Sequence, residues 1–230
     1  MLCSAKWVKI LIMSPDFPVL PGKACRLCPR LAAFLDVNRR LYPDFWNAPV
    51  PSFGTLDAKL LILGLAPGLK GANKSGRPFT GDFAGDLLYQ TLTDFGYARG
   101  TYKARPDDGL ELCGARLTNA VRCVPPENKV TGAETKTCGQ FLINEIRAMP
   151  NLKVVMALGT VAHGALLSAL GQKKSLFKFG HNVRHDLIWE GRKIILIDSY
   201  HSSRYNANTG KLTPEMFLEM FRNVDRAVKE

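Results

Sequence analysis

The sequence predicts an α/β fold in which a parallel sheet is covered by helices on both faces. Two observations carry this. Four short apolar runs recur along the chain: AKLLILGL (58–65), ARLTNAV (115–121), LKVVMALG (152–159) and RKIILIDS (192–199). A helix-like segment follows each run. Runs of this length read as buried strands, and strand alternating with helix argues for parallel βαβ units.

The elements follow in order. The first run ends at Gly64 and opens into LAPGLKGANKSGRPFTGD. Next, FAGDLLYQTLTDFG (83–96) sets Leu87, Leu88, Leu92 and Phe95 near helical spacing, with Gly96 as a stop. The second run leads into RCVPPENK and then a helical segment, ETKTCGQFLINEIRAM (134–149). The third passes into TVAHGALLSALG (160–171), closed by Gly171. The fourth passes through SYHSSRYNANTGK into TPEMFLEMFRNVDRAVK (213–229). That last helix has Thr213 as N-cap, Pro214 at its first position and Glu215 in its first turn. In open α/β sheets, ligands bind beyond the carboxyl ends of the strands. Three polar, helix-poor loops fall at those ends, so the site is expected on that rim.

The chain has 230 residues, which suits a single domain. Residues 1–22 read as a flexible N-terminal extension. No apolar stretch approaches the roughly 18 residues of a membrane helix, and MLCSAKWVKILIMSPDF lacks the pattern of a secretion signal. A cytoplasmic protein is expected. Lys plus Arg number 31 against 20 Asp plus Glu, a formal net charge of +11. Such a surplus suits a polyanionic partner, because each neutralised phosphate releases a counterion. Of six cysteines, Cys25 and Cys28 form a CxxC, while Cys123 and Cys138 are dispersed. A chain with a full core has no need of a disulfide scaffold. A pair plus two thiols is a metal-ligand pattern, and four thiolates suit zinc or an iron–sulfur cluster. Cys3 and Cys113 read as free thiols.

The first loop lacks both the P-loop GxxxxGK[ST] and the dinucleotide GxGxxG. Its glycines allow the backbone close approach to something flat or crowded. Phe79 is either a core plug or a stacking platform for a base. Asp82 precedes a helix, and composition alone makes it an N-cap. In the last loop, His201 lies just past a strand end and is a better site candidate than His163 inside a helix. His181 and His185 read as surface. Asn119 falls near the end of the second strand, and Asn128 follows Pro125-Pro126.

Four motifs in order, ACRLCPRL, GLAPGLKGANKSGRPFTGD, LTNAVRCVPPENK and SYHSSRYNANTGKLT, closely resemble the uracil-DNA glycosylases, in particular the family 5 or B-type branch of bacteria and archaea. The likeness spans about residues 24 to 228. It implies a three-layer αβα domain with a central four-stranded parallel sheet. It implies a monomer that removes uracil from DNA by hydrolysis, leaving an abasic site, with hypoxanthine and other deaminated bases as further substrates. It also implies a [4Fe-4S] cluster on Cys25, Cys28, Cys123 and Cys138. By the same likeness, Phe79 stacks on the extruded base, and the backbone of Gly64, Ala66, Pro67 and Gly68 packs along it. His201 stabilises the departing uracil oxygen. Better-known relatives carry Asp or Asn where this chain has Ala66, so the resemblance moves the carboxylate role to Asp82. Asn128 and Asn206 match polar residues lining the site or contacting DNA, and Arg204 and Tyr205 sit where a loop presses into the minor groove. Some B-type enzymes have a small residue at the place of Asn119. Other branches carry Asn there to read the uracil edge. The competing expectation is a nucleic-acid-binding iron–sulfur or zinc protein without turnover.

Overall fold

The computed structural model describes residues 20–230. The expected N-terminal extension therefore lies almost wholly outside the described residues. Helix α1 (Pro29–Leu41) comes first, with Cys28 at its N-cap and Pro29 at N1. Strand β1 (Leu60–Gly64) leads through the short α2 (Ala72–Ser75) to α3 (Phe83–Asp94). A small excursion, β2 (Ala98–Arg99) paired antiparallel with β3 (Glu111–Leu112), precedes β4 (Ala115–Asn119). Then come α4 (Gly132–Arg147), β5 (Val154–Leu158), α5 (Thr160–Ala169), β6 (Arg184–Trp189) and β7 (Arg192–Ser199). The short α6 (Arg204–Asn208) and α7 (Pro214–Lys229) close the chain.

The main sheet has five strands in the order β4-β1-β5-β7-β6. The first four in that order are parallel and coincide with the four apolar runs. The expected count of four is corrected by β6, which pairs antiparallel with β7 through a two-residue turn. Glu190 and Gly191 take φ of 48° and 75° there, the pair of positive angles that a tight hairpin needs. The segment hides in the sequence because β6 is an edge strand. Its Arg184, Asp186 and Ile188 face solvent, and Glu-Gly is a weak turn signal. Helix α1 was likewise not expected from the pattern.

Strands β1, β4 and β5 are buried along their whole length, as a sheet covered on both faces requires. Alternation splits the core in two. Leu60 and Ile62 pack with Leu88 and Leu92 of α3 and Phe217 and Phe221 of α7. Leu61 and Leu63 pack on the other face with Leu142 and Ile146 of α4 and Leu166 of α5. A third cluster joins α1 to α4 through Leu31, Leu35, Val121 and Phe141, and includes Cys123 and Cys138. Thr131 and Glu134 form a capping box at the start of α4, and Arg30 of α1 grips Glu134 with two bonds of 2.8 Å.

Candidate active site

The carboxyl ends of β1, β4 and β7 meet at one rim. Gly64 ends β1 beside Asn119, the last residue of β4. A methyl group built on Gly64 would lie 2.5 Å from Asn119 Oδ1 and 2.5 Å from Phe79 Cζ. Only hydrogen fits there, so the Phe79 ring rests on the strand end next to the Asn119 amide. Phe79 also belongs to the core cluster on the α3 side, so its two sequence readings are not exclusive. Its backbone sits at φ 53°. Left-handed backbone is strained for a bulky residue and persists only where its surroundings impose it.

Those surroundings are specific. Arg77, 4% exposed, bonds both oxygens of Asp108 at 2.8 Å and passes its Nε–H to Thr80 Oγ1 at 2.8 Å. Arg77 holds the Asp108 carboxyl well below the usual carboxylate range. Tyr89 donates to the Pro78 carbonyl at 2.7 Å. Gly85 lets α3 begin directly against the Phe79 carbonyl, since a Cβ there would stand 1.8 Å from that oxygen.

Asp82 is the N-cap of α3, as composition suggested. Its Oδ1 accepts from Gly85 N–H at 3.0 Å. Its Oδ2 turns toward the first loop, 3.8 Å from a Cβ placed on Gly68 and 2.9 Å from one on Gly71. Burial lifts its carboxyl above the ordinary range, against the pull of Gly85 N–H and of His201. Burial likewise lowers the His201 imidazole below its ordinary value, and Asp82 opposes that. Burial thus disfavours the charged form of both groups, while each favours the charged form of the other.

The loop after β7 is fastened from both sides. Ser202 Oγ donates to the Ala84 carbonyl at 3.3 Å, joining the His201 loop to α3. Asn206 donates its amide to the His201 carbonyl at 2.8 Å. Asn206 thus braces His201 from behind. Ser203 caps α6. Arg204 is exposed, its guanidinium 5.7 Å from the Phe83 ring centre, and Tyr205 is 74% exposed. Asn128 is also exposed, on the separate loop that carries Cys123, and follows Glu127 in left-handed backbone.

Three residues before His201 stands a group that the sequence did not reveal. Asp198, fully buried, receives His163 Nδ1 at 2.8 Å and His185 Nε2 at 3.3 Å. His185 is thus no surface residue, its side chain being 11% exposed. A buried carboxylate needs such donors, and these tie α5 and β6 to β7. His181 is half-buried and stacked on Tyr200, with ring centroids 5.1 Å apart, and burial lowers its pKa. A second hidden centre is Glu145, which Arg116 and Arg122 reach at 2.6 and 2.5 Å and Thr118 at 3.0 Å. Burial works against its ionisation, yet Arg122 and then Arg116 keep its carboxyl below the ordinary range.

Cys25, Cys28, Cys123 and Cys138 line one small apolar cavity with Leu31 and Phe141, and all four are free thiols. Burial first and the neighbouring cysteines next push Cys28 up to about 11 and Cys123 up to about 12. Four thiols gathered in one cavity, two of them buried and two half-buried, fit a group that brings positive charge. Arg122 adjoins the cavity, and its buried Nε–H has no partner among the described residues. Ala66 and Leu69 of the first loop pack against this same cluster. Cys113 is disulfide-bonded and so not the free thiol expected. Cys3 lies outside the described residues.

Comparison with known proteins agrees with this arrangement. The family model described as the uracil DNA glycosylase superfamily matches residues 51–225. A type-5 uracil-DNA glycosylase of Thermus thermophilus is 43% identical, over 88% of this chain and 93% of its own length. Those of Mycobacterium tuberculosis and Pyrobaculum aerophilum are 40% and 36% identical, over 88% and 86% of this chain and 77% and 86% of their own lengths. With its rim loops, sheet order and cysteine cavity on a chain so closely related to these proteins, the molecule belongs to the uracil-DNA glycosylase superfamily.

Proposed function

We propose that this protein extrudes uracil from DNA and hydrolyses its N-glycosidic bond, leaving an abasic site for repair. The observation that carries this reading is the pairing of Asp82 with His201 beside a recess built of Gly64, Phe79 and Asn119. A base inside a duplex is out of reach, so it must first be turned out of the stack. Breaking the bond leaves positive charge on the sugar and negative charge on the uracil. The site must meet both where they develop. Asp82 keeps Oδ1 on the Gly85 N–H, which leaves Oδ2 to orient the attacking water and shield the sugar cation. His201, neutral, donates an N–H to the uracil oxygen as it gains charge, and no proton need transfer. Phe79 stacks on the base. Asn119 reads the N3–H and O4 edge with its amide. Tyr205, exposed beside Arg204, is suited to wedge into the minor groove and hold the gap.

Cys25, Cys28, Cys123 and Cys138 would hold a [4Fe-4S] cluster, which when bound supplies a structural cross-link. The choice of a cluster over a zinc ion is supported by the likeness to the type-5 relatives, and the four thiols line one cavity.

Incision of a uracil-containing oligonucleotide after alkaline cleavage of abasic sites tests the activity, and a nucleic-acid-binding protein without turnover would leave it intact. Asn119→Ala tests the reading of the base. Discrimination of uracil from cytosine is expected to fall by ~1–3 kcal/mol. A variant that keeps its wild-type ratio of rates on U:G and hypoxanthine:T duplexes would remove Asn119 from base selection.

A further inference from the structure

Three side chains that the excision chemistry does not use meet at the edge of the sheet. His163 of α5, His185 of β6 and Asp198 of β7 bring their ring nitrogens and carboxylate within 4.8 Å of one another. Asp198 is fully buried, His163 is buried, and His185 opens slightly to solvent on the edge strand. Their protons do not add up for a neutral ring. His163 Nε2 lies 2.9 Å from the Phe177 carbonyl, and a carbonyl only accepts, so Nε2 carries the hydrogen. In a neutral imidazole, Nδ1 is then a bare lone pair. It stands 2.8 Å from Asp198 Oδ1, where an ionised carboxylate offers only lone pairs in return. A positive centre has to lie between the two atoms, either a further proton or a metal ion. The other carboxylate oxygen, Oδ2, faces His185 Nε2 at 3.3 Å. A divalent ion answers both nitrogens and the carboxylate together, where one proton answers a single pair.

We propose that His163, His185 and Asp198 form a zinc site, structural in role, that pins the edge strand β6 to α5 and β7. Imidazole and carboxylate are ligands that zinc accepts. A metal-binding histidine commonly gives its other N–H to a backbone carbonyl, which fixes the ring and its tautomer, and the Phe177 carbonyl holds His163 in this way. The rings of Phe179 and Phe177 stand edge-on to His163 and His185 at 5.6 and 5.7 Å, an apolar shell that limits access of water. Ligand atoms about 2.0–2.2 Å from a tetrahedral zinc stand about 3.3–3.5 Å apart. The pair of His185 and Asp198 already has that spacing, and His163 reaches it by drawing back about 0.5 Å. The site stands apart from the glycosylase reading and from the cysteine cavity.

The full chain, purified anaerobically with its iron retained and dialysed into zinc-free buffer, is titrated with zinc chloride by calorimetry in two buffers of different ionisation enthalpy. One imidazole-bound ion per chain is expected, with release of about one proton, because the ion replaces the proton between Nδ1 and Oδ1. Zinc-edge X-ray absorption should show nitrogen and oxygen at about 2.0–2.2 Å with imidazole scattering, rather than sulfur at about 2.3 Å. His185→Gln keeps an amide to bond Asp198, so its circular dichroism should match wild type. Its zinc affinity should fall at least about 100-fold, since loss of an outer partner alone costs about 10–100-fold. Zinc at about 100 times the wild-type Kd should raise wild-type melting by about 5 °C or more and that of the variant by only about 1–2 °C. A shell of sulfur alone, undiminished binding by the variant, or uptake without proton release places the ion elsewhere and overturns the proposal. Absence of binding overturns it as well and assigns the bridge to a proton.

Discussion

Asp82 meets two demands with one carboxylate. Oδ1 caps α3, while Oδ2 faces the loop of glycines. Its pKa is raised in the folded protein, and the sign of the consequence follows. Between the unfolded pKa, near 3.9, and the higher folded one, the folded state holds the proton more tightly. Stability therefore falls as pH rises through that window, and the ionised group is a net cost above it. Asn caps as well as Asp, so Asp82→Asn should melt at or above wild type at pH 7, with the advantage gone near pH 3.5. Its single-turnover rate should fall by about 10²–10⁴-fold. Calorimetry at both pH values and quenched single-turnover assays measure the two effects, and an unchanged rate removes Asp82 from the mechanism. His201 carries a separate prediction. With its pKa lowered, the neutral ring is the working form, so the rate should reach a plateau above about pH 6.5. A rate that declines between pH 6.5 and 8 would instead assign the work to the imidazolium. Loss of this donor in His201→Ala should cost about 10²–10³-fold.

At the scale of elements, the first loop owes its shape to a buried ion pair in a neighbouring excursion. Asp108 lies between β2 and β3, its side chain fully buried, and Arg77 reaches it from the loop. Breaking a buried pair leaves one charge uncompensated, a loss of about 3–5 kcal/mol. Asp108→Asn should show that loss in urea unfolding, and should also slow excision by releasing Phe79 from its strained backbone. A variant with wild-type stability would show that the pair does not hold the loop. Neither partner is conspicuous in the sequence. Arg77 sits in a loop of glycines and prolines, and Asp108 in the polar stretch RPDDG. The strands and the four long helices after β1 were legible because periodicity and caps are local. Helix α1, strand β6 and the Glu190–Gly191 turn were not, because an edge strand with charged outer faces has little apolar alternation to display.

Across the whole molecule, the cysteine cavity joins the start of α1, the loop after β4 and the middle of α4. It also supports Ala66 and Leu69 of the active-site loop. A cross-link between such distant points is worth ~2–5 kcal/mol on the scale of disulfides, which in a chain of this size is on the order of 10 °C of melting temperature. Cys138→Ser should lose iron and sulfide and melt lower by about that amount, while its far-ultraviolet circular dichroism keeps the sheet signature. Full iron content in that variant would contradict the ligand assignment. No helix among the described residues is long and apolar enough to cross a membrane, and the excess of positive charge is available for DNA.

By itself the sequence determined the alternation of strand and helix, the rim on which the loops gather and the motifs that carry the family likeness. All of these are set by neighbours along the chain. The tertiary structure decided which atoms do what. It turned Asn206 inward to the His201 carbonyl, buried Asp198 between two histidines, and set Lys74 over the Phe45 ring. It also gave Asp82 its elevated pKa. Burial, desolvation and close approach depend on residues far apart in sequence, and they exist only once the sheet has brought those residues together.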